Sequence, residues 1–189
     1  MRRSLIYSFI AVVIVAVSGA AAYYYFTQYW IHRYDDLIDR QAQVYRLDDK
    51  LVWSVIYEET YFSAWQIGAD KEIGLMQVTP TVAREWATAT GLKEFEKRTA
   101  DNVEEFLKDP ERNIQVGCWY LETLSMKYRD YLAETAMTLA AYNAGASRVE
   151  EWTANYDAAK LTEQQFIEMI KIPSTKMYVS SILKRYRSR

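Results

Sequence analysis

Glu59 is the residue in this chain best placed for acid–base chemistry. It closes the run LVWSVIYEE, residues 51–59, in which Val52, Val55 and Ile56 gather on one side of a helical wheel. Glu59 falls three and four residues beyond Ile56 and Val55, so it points from the apolar face, whereas Glu58 sits at its edge. A carboxyl group on a buried face is costly in its charged form unless something uses it. A loop follows, then Gly74-Leu75-Met76-Gln77, whose glycine permits close backbone approach and whose glutamine brings an amide donor and acceptor. A helix-end acid turned back to water fits the same pattern, because helical phase drifts by a residue or two near helix ends.

A second candidate lies further on, at Ala140-Ala141-Tyr142-Asn143-Ala144-Gly145. A Tyr-Asn pair at a helix end, followed by glycine, presents a phenol and an amide at a turn. Those groups suit the hydroxyl and acetamide groups of a sugar, although a plain helix C-cap reads the same way. Other chemistries are excluded by counting. His32 is the single histidine, which leaves no histidine-based triad and no zinc site. Cys118 is the single cysteine, so no intramolecular disulfide forms. A net charge of −2 gives no basic footprint for nucleic acid. No cofactor is expected.

The elements that must position these groups read as helices. Residues 4–26 carry no charged side chain, and roughly 20 apolar residues suffice to cross a bilayer core. Arg2 and Arg3 precede this segment, which sets the N-terminus in the cytoplasm, and Tyr23–Tyr25, Tyr29 and Trp30 form an aromatic belt beyond it. The expectation is an uncleaved anchor over residues 1–30 and an exported domain over residues 31–189; a signal peptide cleaved near Gly19-Ala20-Ala21-Ala22 is the competing reading. Within the exported part, Asp35-Asp36 opens a helix with a loose stripe of Leu37, Ile38, Ala42 and Val44, and Asp48 caps the helix that carries Glu59. Thr79-Pro80-Thr81 starts a helix that stops at Gly91. Residues 92–112 are charged and read as a surface excursion, with a new helix at Asp109-Pro110. Ile114, Gly117, Cys118, Leu121 and Leu124 recur at helical spacing, and a further helix spans 134–142. Alternation suggests at most a short hairpin around residues 64–78. Lys184, Arg185, Arg187 and Arg189 read as a solvated basic helix end, with attraction to acidic wall polymers or lipid headgroups as the sharper alternative.

Taken together, these motifs resemble the soluble lytic transglycosylases, the goose-lysozyme-like enzymes that cut peptidoglycan. That family shows Glu-Ser-x-Phe and then Gly-Leu-Met-Gln, with the glutamine eighteen positions after the glutamate; Glu59-Thr60-Tyr61-Phe62 and Gly74-Leu75-Met76-Gln77 keep that spacing. The spacing selects Glu59 over Glu58. The family's Tyr-Asp-x-Leu-Ile opening is matched at Tyr34–Ile38, its Asn-Ile-x-x-Gly-x-x-Tyr-Leu helix at Asn113–Leu121, and its Ala-x-Tyr-Asn-Ala-Gly motif at Ala140–Gly145. The ending is matched by Ile172-Pro173, Thr175, Tyr178 and Val179. Three departures stand out: Thr60 for the usual Ser, Lys71-Glu72 for the usual Gly-Ala, and Ser174 for the usual Glu in a shortened segment.

The resemblance implies a mainly α, lysozyme-like domain; joined to the apolar segment read above, the expectation is one transmembrane helix before it, held in the inner membrane with the domain in the periplasm, or secretion there after cleavage. It implies cleavage of the β-1,4 bond between N-acetylmuramic acid and N-acetylglucosamine. Most glycosidases use two carboxylates, but this family uses one. Its glutamate acts first as acid and then as base, the 2-acetamido group assists, and the C6 hydroxyl closes a 1,6-anhydromuramoyl end. Carried over, Glu59 is the catalytic acid, and Gln77, Tyr142 and Asn143 position peptidoglycan glycan strands. Met76 lines the groove or packs beneath it. Two alternatives stay open: a muramidase on the same scaffold using Asp70 or Glu72 to hold water, and a non-catalytic peptidoglycan-binding module.

Overall fold

The computed structural model describes residues 2–189, with side chains from Ile6 onward. The Arg2-Arg3 pair on which the expected orientation rests therefore lies outside the described side chains. The chain divides into two units, Met1–Tyr34 and Asp35–Arg189.

The first unit is one helix, α1 (Arg2–His32). It is long and apolar enough to cross a membrane by length and composition. Its aliphatic side chains stay exposed, Val15 at 72 % and Val12 at 66 %. That is unfavourable in water and suits hydrocarbon, where a helix satisfies its own backbone groups.

The second unit is α-helical: α2 (Asp35–Tyr45), α3 (Asp49–Thr60), α4 (Pro80–Thr90), α5 (Lys93–Lys108), α6 (Pro110–Tyr128), α7 (Glu134–Ala144), α8 (Ala146–Thr153), α9 (Glu163–Met169) and α10 (Pro173–Ser188). The expected punctuation is present. The Asp48 side chain accepts from the Lys50 N–H at the start of α3, Thr79 accepts from Val82 N–H with Pro80 just inside α4, and Asp109 accepts from Arg112 N–H before α6. Gly91 ends α4 at φ 66°. α3 packs against α2 and α10, α6 against α2, α4, α5 and α7, and α7 against α8, α9 and α10. Leu51–Ile56 of α3 and Ala136–Ala141 of α7 are buried almost all round, so both helices run through the interior.

Four expectations are corrected. Residues 92–112 are a largely exposed surface segment but not a bare excursion: α5 runs through most of them, bent at Asn102 (φ −154°, ψ 80°), and buries Thr99, Phe106 and Leu107. Val44 does not join the stripe on α2; it is 66 % exposed, and Gln41 is buried with Ile38 and Ala42 instead. Between residues 64 and 78 there is no paired hairpin, only isolated antiparallel bridges, Ile67 to Ile73 and Ile73 to Val78. Finally, the basic end of α10 is tied down. Arg185 pairs with Glu58 at 2.9 Å and lies over the Tyr57 ring, Arg187 pairs with Glu163 at 2.7 Å, and Arg189 lies over the Trp53 ring.

Candidate active site

Glu59 lies in the last turn of α3, and the chain reverses directly after it. Tyr61 (φ 48°) and Phe62 (φ 63°) both adopt left-handed backbone, uncommon for side chains of this size. The reversal is fixed by packing, since Phe62 is fully buried with its ring 5.0 Å from that of Trp53. Thr60, buried beside Glu59, donates its hydroxyl to the Leu75 carbonyl at 3.0 Å. The hydroxyl retained at the Thr60 departure thus ties the end of α3 to the Gly74–Gln77 segment.

That segment is held from below by α6. The Asn113 amide donates to the carbonyls of Ile73 (2.7 Å) and Leu107 (2.9 Å), and its oxygen accepts from Met76 N–H (2.8 Å). All three bonds are buried, so one side chain satisfies backbone groups that water cannot reach. Gly74 sits at φ +74°, and a Cβ there would meet the Asn113 amide and stand 2.7 Å from the Leu107 oxygen, which excludes any larger residue. Met76 is fully buried, and a Cβ on Gly117 would stand 2.8 Å from its own Cβ. Met76 therefore packs beneath the groove on α6 and does not line it. Its carbonyl accepts the Tyr142 hydroxyl at 2.8 Å, so the backbone of this residue, not its side chain, serves the site.

Above this floor opens a cleft of about 450 Å³ lined by Glu59, Glu72, Gln77, Tyr120, Tyr142 and Asn143, among others. Glu59, Gln77, Tyr142 and Asn143, picked out in three separate stretches of sequence, share this one cleft. Gln77, at φ 47°, donates its amide to the carbonyls of Gly74 (3.0 Å) and Gln66 (3.3 Å), which turns its oxygen outward. Asn143 is fixed from α10 by the Thr175 hydroxyl, 2.7 Å from its Oδ1. Of the two loop acids, Glu72 lines the cleft and Asp70 does not.

The electrostatics of Glu59 follow from burial. Its carboxyl pKa is pushed up to about 7, chiefly because burial strips water from the charged form, with the charges of Glu72 and Glu58 adding to the effect. The Tyr178 hydroxyl, donating to Glu59 Oε1 at 2.7 Å, pulls the other way. Burial also raises Tyr178 and Tyr142 well above the ordinary tyrosine value, so both remain donors at neutral pH. A half-buried carboxyl group that holds its proton near neutrality can give that proton to a leaving oxygen and take one back.

Two residues of the site, one behind Glu59 and one in the cleft wall, escape the sequence reading. Tyr178 matched a motif but carried no assigned role, since nothing local connects α10 to a glutamate 119 positions earlier. Tyr120, which the Asn113–Leu121 motif match leaves without a role, forms part of the wall with its ring 5.4 Å from that of Tyr142.

Comparison with known proteins gives a consistent picture. The sequence model of the Transglycosylase SLT domain matches residues 36–165. The soluble lytic murein transglycosylase of Escherichia coli strain K12 is 29 % identical over 153 residues, covering 79 % of this chain and 22 % of that protein. The membrane-bound lytic murein transglycosylase C of Haemophilus influenzae strain PittEE is 32 % identical over 122 residues, covering 62 % of this chain and 32 % of that one. The chain thus spans a third or less of the length of these two relatives. Among solved structures, the 70 kDa soluble lytic transglycosylase of Escherichia coli superposes with a TM-score of 0.69 at 25 % identity, over 82 % of this chain and 24 % of the other. The expected α-helical, lysozyme-like architecture is borne out by that match. By the extent of the family match and the fold it shares, the chain belongs to the Transglycosylase SLT domain family.

Proposed function

We propose that this protein is a peptidoglycan lytic transglycosylase that cleaves between N-acetylmuramic acid and N-acetylglucosamine and leaves a 1,6-anhydromuramoyl end. The observation that carries the reading is Glu59, half-buried at the base of a sugar-sized cleft with a carboxyl pKa near 7. The family and its named relatives supply the reaction class. A solved relative from Pseudomonas aeruginosa is an inactive glutamate-to-glutamine mutant of such an enzyme, which agrees with dependence on one acid.

In this mechanism protonated Glu59 donates to the glycosidic oxygen as the bond to C1 breaks. The acetamido group of the muramic sugar stabilises the developing positive centre. Glu59, now a carboxylate, accepts the proton of the C6 hydroxyl as that oxygen closes on C1. Tyr178 keeps the carboxyl in one orientation and stabilises it after proton loss. Gln77, Tyr142 and Asn143 position the strand from the cleft wall. α1 serves as an anchor, placing the domain at the inner membrane on its periplasmic side, with residues 1–30 and 31–189 as the two working parts.

Mass spectrometry of fragments released from purified peptidoglycan tests the reaction. Anhydromuramoyl ends that vanish in Glu59→Gln support it; reducing muramic acid ends would instead mark hydrolysis. Glu72 in the cleft is the one observation that favours the hydrolytic alternative. The anchor is tested separately by extraction: protein released from membranes without detergent would sink it.

A further inference from the structure

The loop between α3 and the Gly74–Gln77 segment builds a feature that the reaction above does not use. Gly68 N–H donates to the Glu72 carbonyl at 2.7 Å, and Lys71 at φ 67° turns the chain so that the Glu72 side chain folds back over Gly68. A Cβ on Gly68 would collide with Glu72 Oε2 and lie 2.8 Å from Gln77 Oε1, so the carboxylate and amide oxygens converge on one point. The oxygen assignment at Gln77 follows from its amide nitrogen, which already faces two carbonyls. Glu72 accepts one neutral N–H, from Asp70 at 3.0 Å, and among the described residues no lysine or arginine pairs with it or lines the cleft.

Two converging acceptors, one of them charged, without a donor between them, match a group that brings several donors and a positive charge. A primary ammonium has three donors and no acceptor. A water held by Glu72 for attack would need only one acceptor, whereas two converge here. We infer that Glu72 and Gln77 Oε1 form a specificity site for a primary ammonium on the glycan strand, either an amino sugar without its acetyl group or the free amine of a stem peptide. The inference rests on the cleft being a glycan-binding site, as proposed above. Such a site selects by difference, because an acetylated amine offers a single N–H, carries no charge, and leaves the carboxylate partly unpaired.

The test uses the full-length protein in detergent on four strands: peptide-free with N-acetylglucosamine, peptide-free with glucosamine in its place, peptide-bearing with free amines, and peptide-bearing with acetylated amines. The expected result is kcat/KM about tenfold higher for the free-amine member of one pair, as for a charge-assisted hydrogen bond. The glucosamine pair identifies the sugar as the source, and the peptide pair identifies the stem. In Glu72→Gln the ratio should fall to about one, and Gly68→Ala, which crowds the same point, should lower it too, with circular dichroism confirming the fold of each variant. Equal rates within both pairs, or a ratio that survives Glu72→Gln, would overturn the site. So would loss of cleavage on all four strands alike in Glu72→Gln, which would make Glu72 part of the chemistry. If the wild type cuts none of them, the transglycosylase reading fails by itself. Calorimetry with a glucosamine-containing tetrasaccharide and with a stem-peptide-bearing one, each against its acetylated form, then still decides the site: binding about tenfold tighter for the free amine in one pair supports it, and equal binding in both pairs removes it.

Discussion

Replacing Glu59 by glutamine should make the protein more stable, and by an amount that depends on pH. Below about pH 4.5 the carboxyl is protonated in both folded and unfolded states, so it carries no charge penalty. Between that value and the folded pKa of about 7, the unfolded chain ionises while the folded one keeps its proton, and stability falls as pH rises. Above 7 both states are ionised and the penalty is constant. A pKa raised from 4.5 to about 7 corresponds to on the order of 3 kcal/mol at ~1.36 kcal/mol per unit. Glutamine keeps the shape and can still accept from Tyr178, but it never ionises. The mutant should therefore melt with the wild type near pH 4 and about 6–12 °C above it at pH 8, taking ~2–4 °C per kcal/mol for a domain of this size. Tryptophan fluorescence melts in detergent at half-unit pH steps measure this. A difference independent of pH, or absent at pH 8, would mean that Glu59 is not held out of water as described.

Three further outcomes follow from the same geometry. Cleavage by the wild type should fall about tenfold per pH unit above about pH 7 as Glu59 loses its proton; Tyr178→Phe should move that limb to higher pH and Glu72→Gln to lower pH, read from kcat/KM against pH. Asn113→Ala strands the buried Leu107 carbonyl and Met76 N–H, while the Ile73 carbonyl keeps its bond from Val78 N–H, and denaturant titration should show a loss of about 2–6 kcal/mol, from ~1–3 kcal/mol per unsatisfied group. Glu58→Gln removes the charge that meets Arg185 behind α3 and should leave most cleavage intact; a collapse equal to that of Glu59→Gln would show that the eighteen-residue spacing picked the wrong acid.

Much of the site was legible because its parts are short and local. Asp48, Thr79-Pro80 and Gly91 mark helix ends through hydrogen bonds within a few residues, and the structure places each where the pattern does. Glu59 was found by helical phase and by the spacing to Gln77. What stayed hidden depends on bends and on distant partners. The apolar residues of α5 fall on both sides of the Asn102 kink, so no single helical period joins Phe95 to Phe106 and Leu107. The charges at the end of α10 looked solvated because their partners, Glu58 and Glu163, lie on other helices. Sequence offers Glu72 and Asp70 alike as acids to hold water and cannot separate them, because the aim of Glu72 is set by the left-handed turn at Lys71 and the room above Gly68.

The bond between Tyr178 and Glu59 also bears on when this protein can become active. The glutamate is made early in the chain and its hydroxyl partner late, and α10 delivers the Thr175 that fixes Asn143 as well. Before α10 has been made, α3 can form its helix, but the acid has nothing to hold it and the opposite wall is missing. Competence therefore arrives in one step with the docking of α10, after the rest of the domain exists for it to dock against. On the reaction proposed above, this arrangement ties cutting to α10: a chain stalled, nicked or frayed there loses the hold on its acid along with the buried Val179 and Ile182.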